Sequence, residues 1–310
     1  MTARTKAYIY LIVTIIIWGA AGPVIKNTLN YFDPVIFLTY RFFLTSLVLI
    51  PLILFFHPRI LSTLNHLTAK DWLIFICSAL LGTSIQLLLL FEGFKLTTSI
   101  DGTLIFSTSP ILSVLAGWWL LKEHITTREK LGAVVAFLGS IVIIVKPMLE
   151  THKLFSGSSL GNLLILLANF AWVGHSIISK TQLRNNLSPL LITTANFFIG
   201  LVSMLIILLF THSSSIRYTL ISIPYSAHLG VIYMALLSGA LAYFLFQKAQ
   251  KSIETSEANT FLFLQPIVAT PLAFLWLEEK VSTTFIIGSV IIGLGVILSN
   301  LKFKPRNYTL

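Results

Sequence analysis

Charge is what this sequence has least of. Of 310 residues, 10% are charged and 56% are apolar, and the mean hydropathy is +0.89. Soluble domains carry about 25% charged residues. A water-soluble fold of this size cannot hide so much apolar surface, so its exterior must itself be apolar, as in a bilayer. Cysteine occurs once, as Cys77 inside an apolar run, which excludes an internal disulfide and a cysteine-based metal site. Acidic residues number 11 against 21 Lys and Arg, and they fall at the ends of apolar runs or between them. A paired acid and base buried at membrane depth, as an intramembrane enzyme would need, is therefore not apparent. HExxH, P-loop and Cys/His-cluster motifs are missing as well. No cofactor and no metal ion is expected.

What is present is a series of long apolar runs. A spanning helix needs roughly 20 mainly apolar residues. Ten windows qualify, at roughly 8–27, 35–56, 71–92, 99–121, 128–146, 159–180, 188–211, 226–249, 256–277 and 282–302. The connections are short and leave no mass for a soluble catalytic domain. The basic start followed by Tyr8–Ile17 has the look of a signal peptide, but Pro23 and the lack of a polar mature domain favour an uncleaved first span. With the N-terminus in the cytoplasm, 14 Lys and Arg residues fall inside and 6 outside, with Arg41 within a span. That bias predicts an even span number and both termini cytoplasmic. The net charge of +10 forms no patch or aromatic-interleaved stripe, so anionic headgroups rather than nucleic acid are the expected counterpart.

The chain also repeats itself. Pro110, Glu123, Gly132 and Gly139 recur as Pro266, Glu279, Gly288 and Gly295, each 156 positions on. Trp18 and Lys26 recur as Trp172 and Lys180 at an offset of 154, and Arg41 faces Asn196 at 155. Units 1–150 and 151–310 each hold five spans. Because five is odd, the second unit must be threaded upside down. The expected fold is an all-α membrane protein of ten transmembrane helices in two inverted five-helix repeats. Such repeats are typical of secondary transporters, with the site near the midplane between them.

Trp18-Gly19-Ala20, Pro23, Lys26, Pro34, Arg41, Pro110 and Leu121-Lys122-Glu123, together with the second copy from Gly161-Asn162 to Gly295, resemble the EamA domain of the drug/metabolite transporter superfamily. The resemblance covers roughly residues 8–302 and implies ten helices, cytoplasmic termini and movement of small metabolites, often amino-acid export. It names a job and not a cargo. Uptake or exchange of a larger solute, such as S-adenosylmethionine or a nucleotide sugar, is the alternative. A bacterial inner membrane is the expected location, and the expected partners are a small-molecule solute and the lipid bilayer.

Candidate solute-binding residues follow from polarity at depth. Pro110 and Pro266 are expected near the middle of spans four and nine, where a proline frees a carbonyl that must find a partner or line a wet cavity. Ser107 lies one turn before the first, and Gln265 precedes the second. Asn169, Trp172 and His175 share one face of span six, and Trp18 is the repeat partner of Trp172. The two tryptophans can wall a cavity or simply pack helices. His175 reads best as a satisfied interhelical hydrogen bond, with a proton-linked switch as the sharper alternative. Arg41 reads best as snorkelling or pairing with another helix, with a substrate carboxylate as the alternative. Gln86, Tyr243 and Asn259 add hydrogen-bonding groups at interior depth. Glu123 and Glu279 are expected to tie the following helix, Thr126 and Glu129 to form a capping box, and the four repeated glycines to allow close helix contact. Gly157-Ser158-Ser159-Leu160-Gly161 matches G-x-S-x-G, a motif that works only on a strand-to-helix turn, and here it precedes an apolar helix.

Overall fold

The computed structural model describes residues 1–58, 67–97, 102, 105, 106, 108–151, 158–211, 223–277 and 283–300. Among these, every regular element is helical. They are α1 (Ala3–Thr28), α2 (Pro34–Phe56), α3 (Ala69–Leu96), α4 (Ser109–Leu120), α5 (Thr127–Thr151), α6 (Ser159–Arg184), α7 (Pro189–Thr211), α8 (Tyr225–Ser252), α9 (255–277) and α10 (Thr283–Asn300). Among the described residues, seven are long and apolar enough to cross a membrane: α1, α2, α3, α6, α7, α8 and the stretch Thr255–Trp276 of α9. Shorter apolar helices lie at Ser109–Leu120 and Ile286–Ser299. The sequence windows 99–121 and 282–302 run partly outside the described residues, as do Ser107 and Glu279.

The helices begin where short polar side chains can satisfy their first backbone N–H groups. Asp33 caps α2, whose first residue is Pro34. Thr68 and Asp71 form a reciprocal capping box on α3. The box expected on α5 is present, with Glu129 accepting from Thr126 N at 2.6 Å and Thr126 Oγ1 accepting from Glu129 N at 3.3 Å. In the G-x-S-x-G stretch Ser158 is the N-cap of α6 and the central Ser159 is the helix's first residue.

Large apolar side chains face outward, Phe55 and Phe210 among them, as a lipid-bathed surface requires. The interior is built on Leu11, Phe37, Phe42, Phe91, Phe197 and Phe246. Helix α2 packs on α7, α5 on α10, α1 on α8 and α9, and α6 on α3 and α4. The α5–α10 crossing is close because of its glycines. A Cβ on Gly139 would stand 2.8 Å from Gly288 O, and one on Gly295 would stand 2.7 Å from Gly132 O.

Two interior features interrupt the regular helices. Helix α3 widens to a π-helical turn over Leu80–Ile85 and α8 over Met234–Leu241. A π turn shifts the hydrogen-bond register and leaves carbonyls seeking other donors. Gly82 O accepts from Tyr243 Oη at 3.3 Å, and Ser238 O accepts from Trp18 Nε1 at 3.0 Å. Of the two repeated prolines, Pro266 holds the expected mid-span place and Pro110 does not. Pro110 stands in the first turn of α4. Pro266 follows a 3₁₀ turn, Phe261–Leu264, and opens the segment Gln265–Leu277 of α9. Pro110 thus begins a helix, where its missing N–H costs nothing, and Pro266 lies within the span Thr255–Trp276, directly after its 3₁₀ turn. Pro23, by contrast, is inside α1 and deprives the carbonyl of Gly19 of its usual donor.

Candidate functional site

A cavity of about 90 Å³ lies between α1, α2, α3, α6, α8 and α9. A single water needs roughly 10–15 Å³ on the same scale, so the space suits several waters or a small solute. Six of the residues singled out from sequence line it: Trp18, Arg41, Gln86, Trp172, Tyr243 and Gln265.

Its floor is aromatic. The Trp18 and Trp172 rings meet edge to face, with centroids 5.4 Å apart and planes at 85°. Tyr243 and Phe246 pack on Trp18 at 5.2 and 5.3 Å, and both also touch Trp172. Trp172 is fixed by a 3.0 Å bond from Nε1 to Asn259 Oδ1, and Asn259 Nδ2 donates in turn to Thr255 O at 2.9 Å. Helix α1 runs from Trp18 past Gly19 and Gly22 to Ile25 along the same wall. A Cβ on Gly22 would meet nothing within 4 Å, so this glycine keeps space open.

Polar groups enter this apolar space at few points. Arg41 does not snorkel. It is 1% exposed and its guanidinium points into the protein interior. Nη2 reaches Ser238 Oγ at a long 3.4 Å, and Cζ stands 5.9 Å from the Phe91 ring centre. Arg41 Nε and Nη1 have no hydrogen-bond partner among the described residues, and neither does Gln86 Oε1. Helix geometry alone does not show which way a side chain at that depth points, and α2 aims this one inward.

The other sequence candidates serve the walls. Asn169 Nδ2 donates to Ile105 O at 2.6 Å and Thr108 Oγ1 at 3.1 Å, tying α6 to the chain before α4. His175 is fully buried behind Gly82, with Nδ1 3.0 Å from Ser78 O and Nε2 3.3 Å from both Ser179 Oγ and Gln247 Nε2. Pro110 and Pro266 are buried beside the cavity without lining it. Ser107 lies outside the described residues. Sequence reasoning missed Gly19, Gly22, Ser238 and Phe106 as lining residues. The signal available for Ser238 and Gly82 was their matching position in the repeat.

Below the aromatic floor the bundle is sealed. Arg4 Nη2 and Tyr8 Oη both donate to Glu257 Oε1 at 2.5 Å, and Arg4 Nε donates to Tyr8 Oη at 2.8 Å. Glu123 does not tie the helix that follows it. Its carboxylate accepts from Thr255 N at 2.7 Å, Ser256 N at 3.0 Å and Ser256 Oγ at 2.7 Å. It thus caps α9, whose own cap residue Glu254 makes no side-chain cap bond. Lys180 Nζ donates to Gln250 O at 2.6 Å and Ile253 O at 2.7 Å. At the other end of α1, Lys26 Nζ donates to Phe94 O and Thr97 O, both at 2.8 Å.

The model of the EamA-like transporter family matches this chain twice, over residues 5–145 and 159–301. The chain belongs to the EamA-like transporter family. Relatives along the whole length of this EamA-like transporter carry the same kind of name. The uncharacterized transporter YyaM of Bacillus subtilis is 28% identical, covering 97% of this chain and 95% of its own. An uncharacterized transporter of Archaeoglobus fulgidus is 25% identical over 96% of this chain and 99% of its own. One solved crystal structure superposes on 96% of this chain and 96% of its own with a TM-score of 0.74 at 14% identity, a likeness of fold. The protein is therefore an integral, multi-pass membrane transporter whose partners are a small-molecule solute and lipid.

Proposed function

We propose that this transporter is a ten-span secondary carrier, built from oppositely threaded units 1–150 and 151–310, that exports small metabolites by alternating access. Amino acids and related compounds are its cargo class, and a bacterial inner membrane with cytoplasmic termini is its setting. The observation that carries this is the position of the cavity between helices of both units, with the repeat partners Trp18 and Trp172 in contact at its floor.

Further pairs support the same arrangement. The helix contacts map onto one another when α1 is exchanged for α6, α2 for α7, α3 for α8, α4 for α9 and α5 for α10. Lys26 and Lys180 hold matching carbonyls at opposite ends of the bundle. The two π turns occur in α3 and α8 at the repeat spacing. In two oppositely threaded units, a two-fold axis in the membrane plane generates such pairs, and rocking one unit against the other exposes a central site to each side in turn. A cavity of about 90 Å³ favours a small solute over a nucleotide sugar.

The test is flux. Purified full-length protein in liposomes is loaded with radiolabelled amino acids and related small metabolites, and efflux is compared with empty liposomes. Efflux above control is expected for at least one amino acid. A panel in which none moves sinks the cargo assignment, and reporter fusions that place residues 1 and 310 on opposite sides of the bilayer sink the topology.

A further inference from the structure

Within the described residues, the cavity is lined by one full charge, on the buried Arg41, with nothing to balance it. Arg41 is 1% exposed, and two of its three nitrogens, Nε and Nη1, lack a protein acceptor. The third has only the 3.4 Å contact to Ser238 Oγ. Among the described residues no Asp or Glu lines the cavity, and the described ion pairs, Arg4–Glu257 and Lys95–Asp33, do not involve Arg41. An unpaired charge in a low-dielectric interior costs several kcal/mol. Most buried polar groups in native proteins are satisfied, and one aimed into a cavity with spare donors is accounted for by a ligand that supplies the acceptors.

We propose that Arg41 is the anion-recognising group of the cavity, and that the transported solute presents a carboxylate to its free Nε–H and Nη1–H donors. The proposal rests on the carrier reading and adds the chemistry of the cargo. A carboxylate matches a guanidinium edge with two parallel hydrogen bonds, which fixes orientation as well as charge. A phosphate monoester carries a charge of about −1.5 to −2 at neutral pH, so one arginine would leave it under-compensated in this cavity. The rest of the lining sorts the remainder of the solute. Gln86 Oε1, also without a protein donor, accepts an N–H or O–H, and the faces around Trp18, Trp172 and Tyr243 take the apolar body.

The experiment uses purified full-length protein and a series of carboxylates from acetate to 3-phenylpropanoate together with L-leucine and L-phenylalanine, each paired with its carboxamide. Binding is read by intrinsic tryptophan fluorescence, because Trp18 and Trp172 form the cavity floor, and by the shift in melting temperature. Acids are expected to bind and their amides to bind at least tenfold more weakly. Arg41→Gln is expected to abolish that preference. Without solute, Arg41→Met is expected to melt at a higher temperature than the parent, because it removes an unpaired buried charge while keeping the chain's volume. A merely structural arginine would give the opposite sign. Amides binding as well as acids, no acid binding at saturating concentration, or Arg41→Met melting lower would each overturn the proposal. The paired-ligand comparison needs only the parent protein, so it decides even where a variant fails to fold. Flux of neutral or cationic solutes without preference for acids would keep the carrier reading and remove the anion site. Absence of any flux from a wide panel would remove the carrier reading itself.

Discussion

Replacing Lys180 with Met tests the energetics of the sealed end of the bundle. Lys180 is 8% exposed, and its ammonium donates at 2.6 and 2.7 Å to carbonyls at and just beyond the C-terminus of α8. The last carbonyls of a helix have no intrahelical donor and carry the negative end of its dipole. A hydrogen bond involving a charged group contributes about 1.5–3 kcal/mol, so two give roughly 3–6. Ordering a lysine side chain costs about 1.5–2 kcal/mol, and desolvating it costs more. Methionine keeps the apolar stem but leaves two carbonyls without a donor. The expected net loss is about 2–4 kcal/mol. At roughly 2–4 °C per kcal/mol, the melting temperature falls by about 4–16 °C. Tryptophan fluorescence is the right readout, since Trp172 is buried and reports the core. Lys95→Met is the control. Its 3.2 Å pair with Asp33 has side-chain exposures of 46% and 28%, and such a pair is worth at most about 1 kcal/mol. A Lys180→Met loss no larger than that of Lys95→Met would refute the reasoning. Lys26→Met should cost nearly as much as Lys180→Met, somewhat less because Lys26 is only half-buried.

Other substitutions probe different parts of the design. Glu123→Gln keeps one carbonyl acceptor but loses the charge facing the α9 N-terminus, and should destabilise by about 1–2 kcal/mol in the same melt. Gly139→Ala puts a Cβ 2.8 Å from both Gly288 O and Ile292 N and should cost about 1–3 kcal/mol, whereas Gly293→Ala, with nothing within 4 Å, should be neutral or stabilise by up to about 1 kcal/mol. Gly22→Val places its methyl groups in the cavity without backbone strain, so the melt should stay near the parent value while efflux of the bulkiest cargo is lost before that of the smallest.

The all-helical, apolar class and the seven long apolar helices were legible because apolar length needs no knowledge of tertiary structure, and the Trp18–Trp172 pair was singled out because the repeat matches them. What hydropathy could not show was interruption. Windows over 99–121 and 256–277 read as uniform α-helix, yet α4 starts only at Ser109 and α9 tightens to a 3₁₀ turn over Phe261–Leu264, since apolar composition does not distinguish an α-helical from a 3₁₀ or irregular stretch. The snorkelling expected as one option for Arg41 fails for a related reason. Its depth follows from counting residues, but its direction depends on how α2 is rotated against α7, which only packing decides. Glu123 was recognised as structural but assigned to the wrong helix, because its partners Thr255 and Ser256 are 132 and 133 residues away. Gly22 and Ser238 were missed because small residues announce no chemistry. Their contribution is the space and the bare carbonyls that larger neighbours use.

On the carrier reading, the two ends of the bundle are held by unequal means. The Lys26 and Lys180 clamps are equivalent, so they favour neither orientation strongly. The Arg4–Tyr8–Glu257 cluster is different. The repeat offset of 154 sends Arg4 to Ser158 and Tyr8 to Asn162, and the offset of 156 sends Glu257 to Asp101. Only the acidic member of the cluster therefore has a charged counterpart at the repeat positions. Among the described residues the ion pair at the far end, Lys95–Asp33, is more exposed, at 46% and 28% against 22% and 0% for Arg4–Glu257. A two-state carrier moves between its orientations only as fast as its stronger lock opens, and its resting state is the one in which that lock is closed. The end that carries Arg4 is sealed while the cavity lining extends from Trp18 toward Ile25, which is the orientation that this asymmetry favours. A cargo that neutralises Arg41 lowers the cost of closing the cavity around it, so the same missing acid that makes the site selective also makes the empty carrier reluctant to turn.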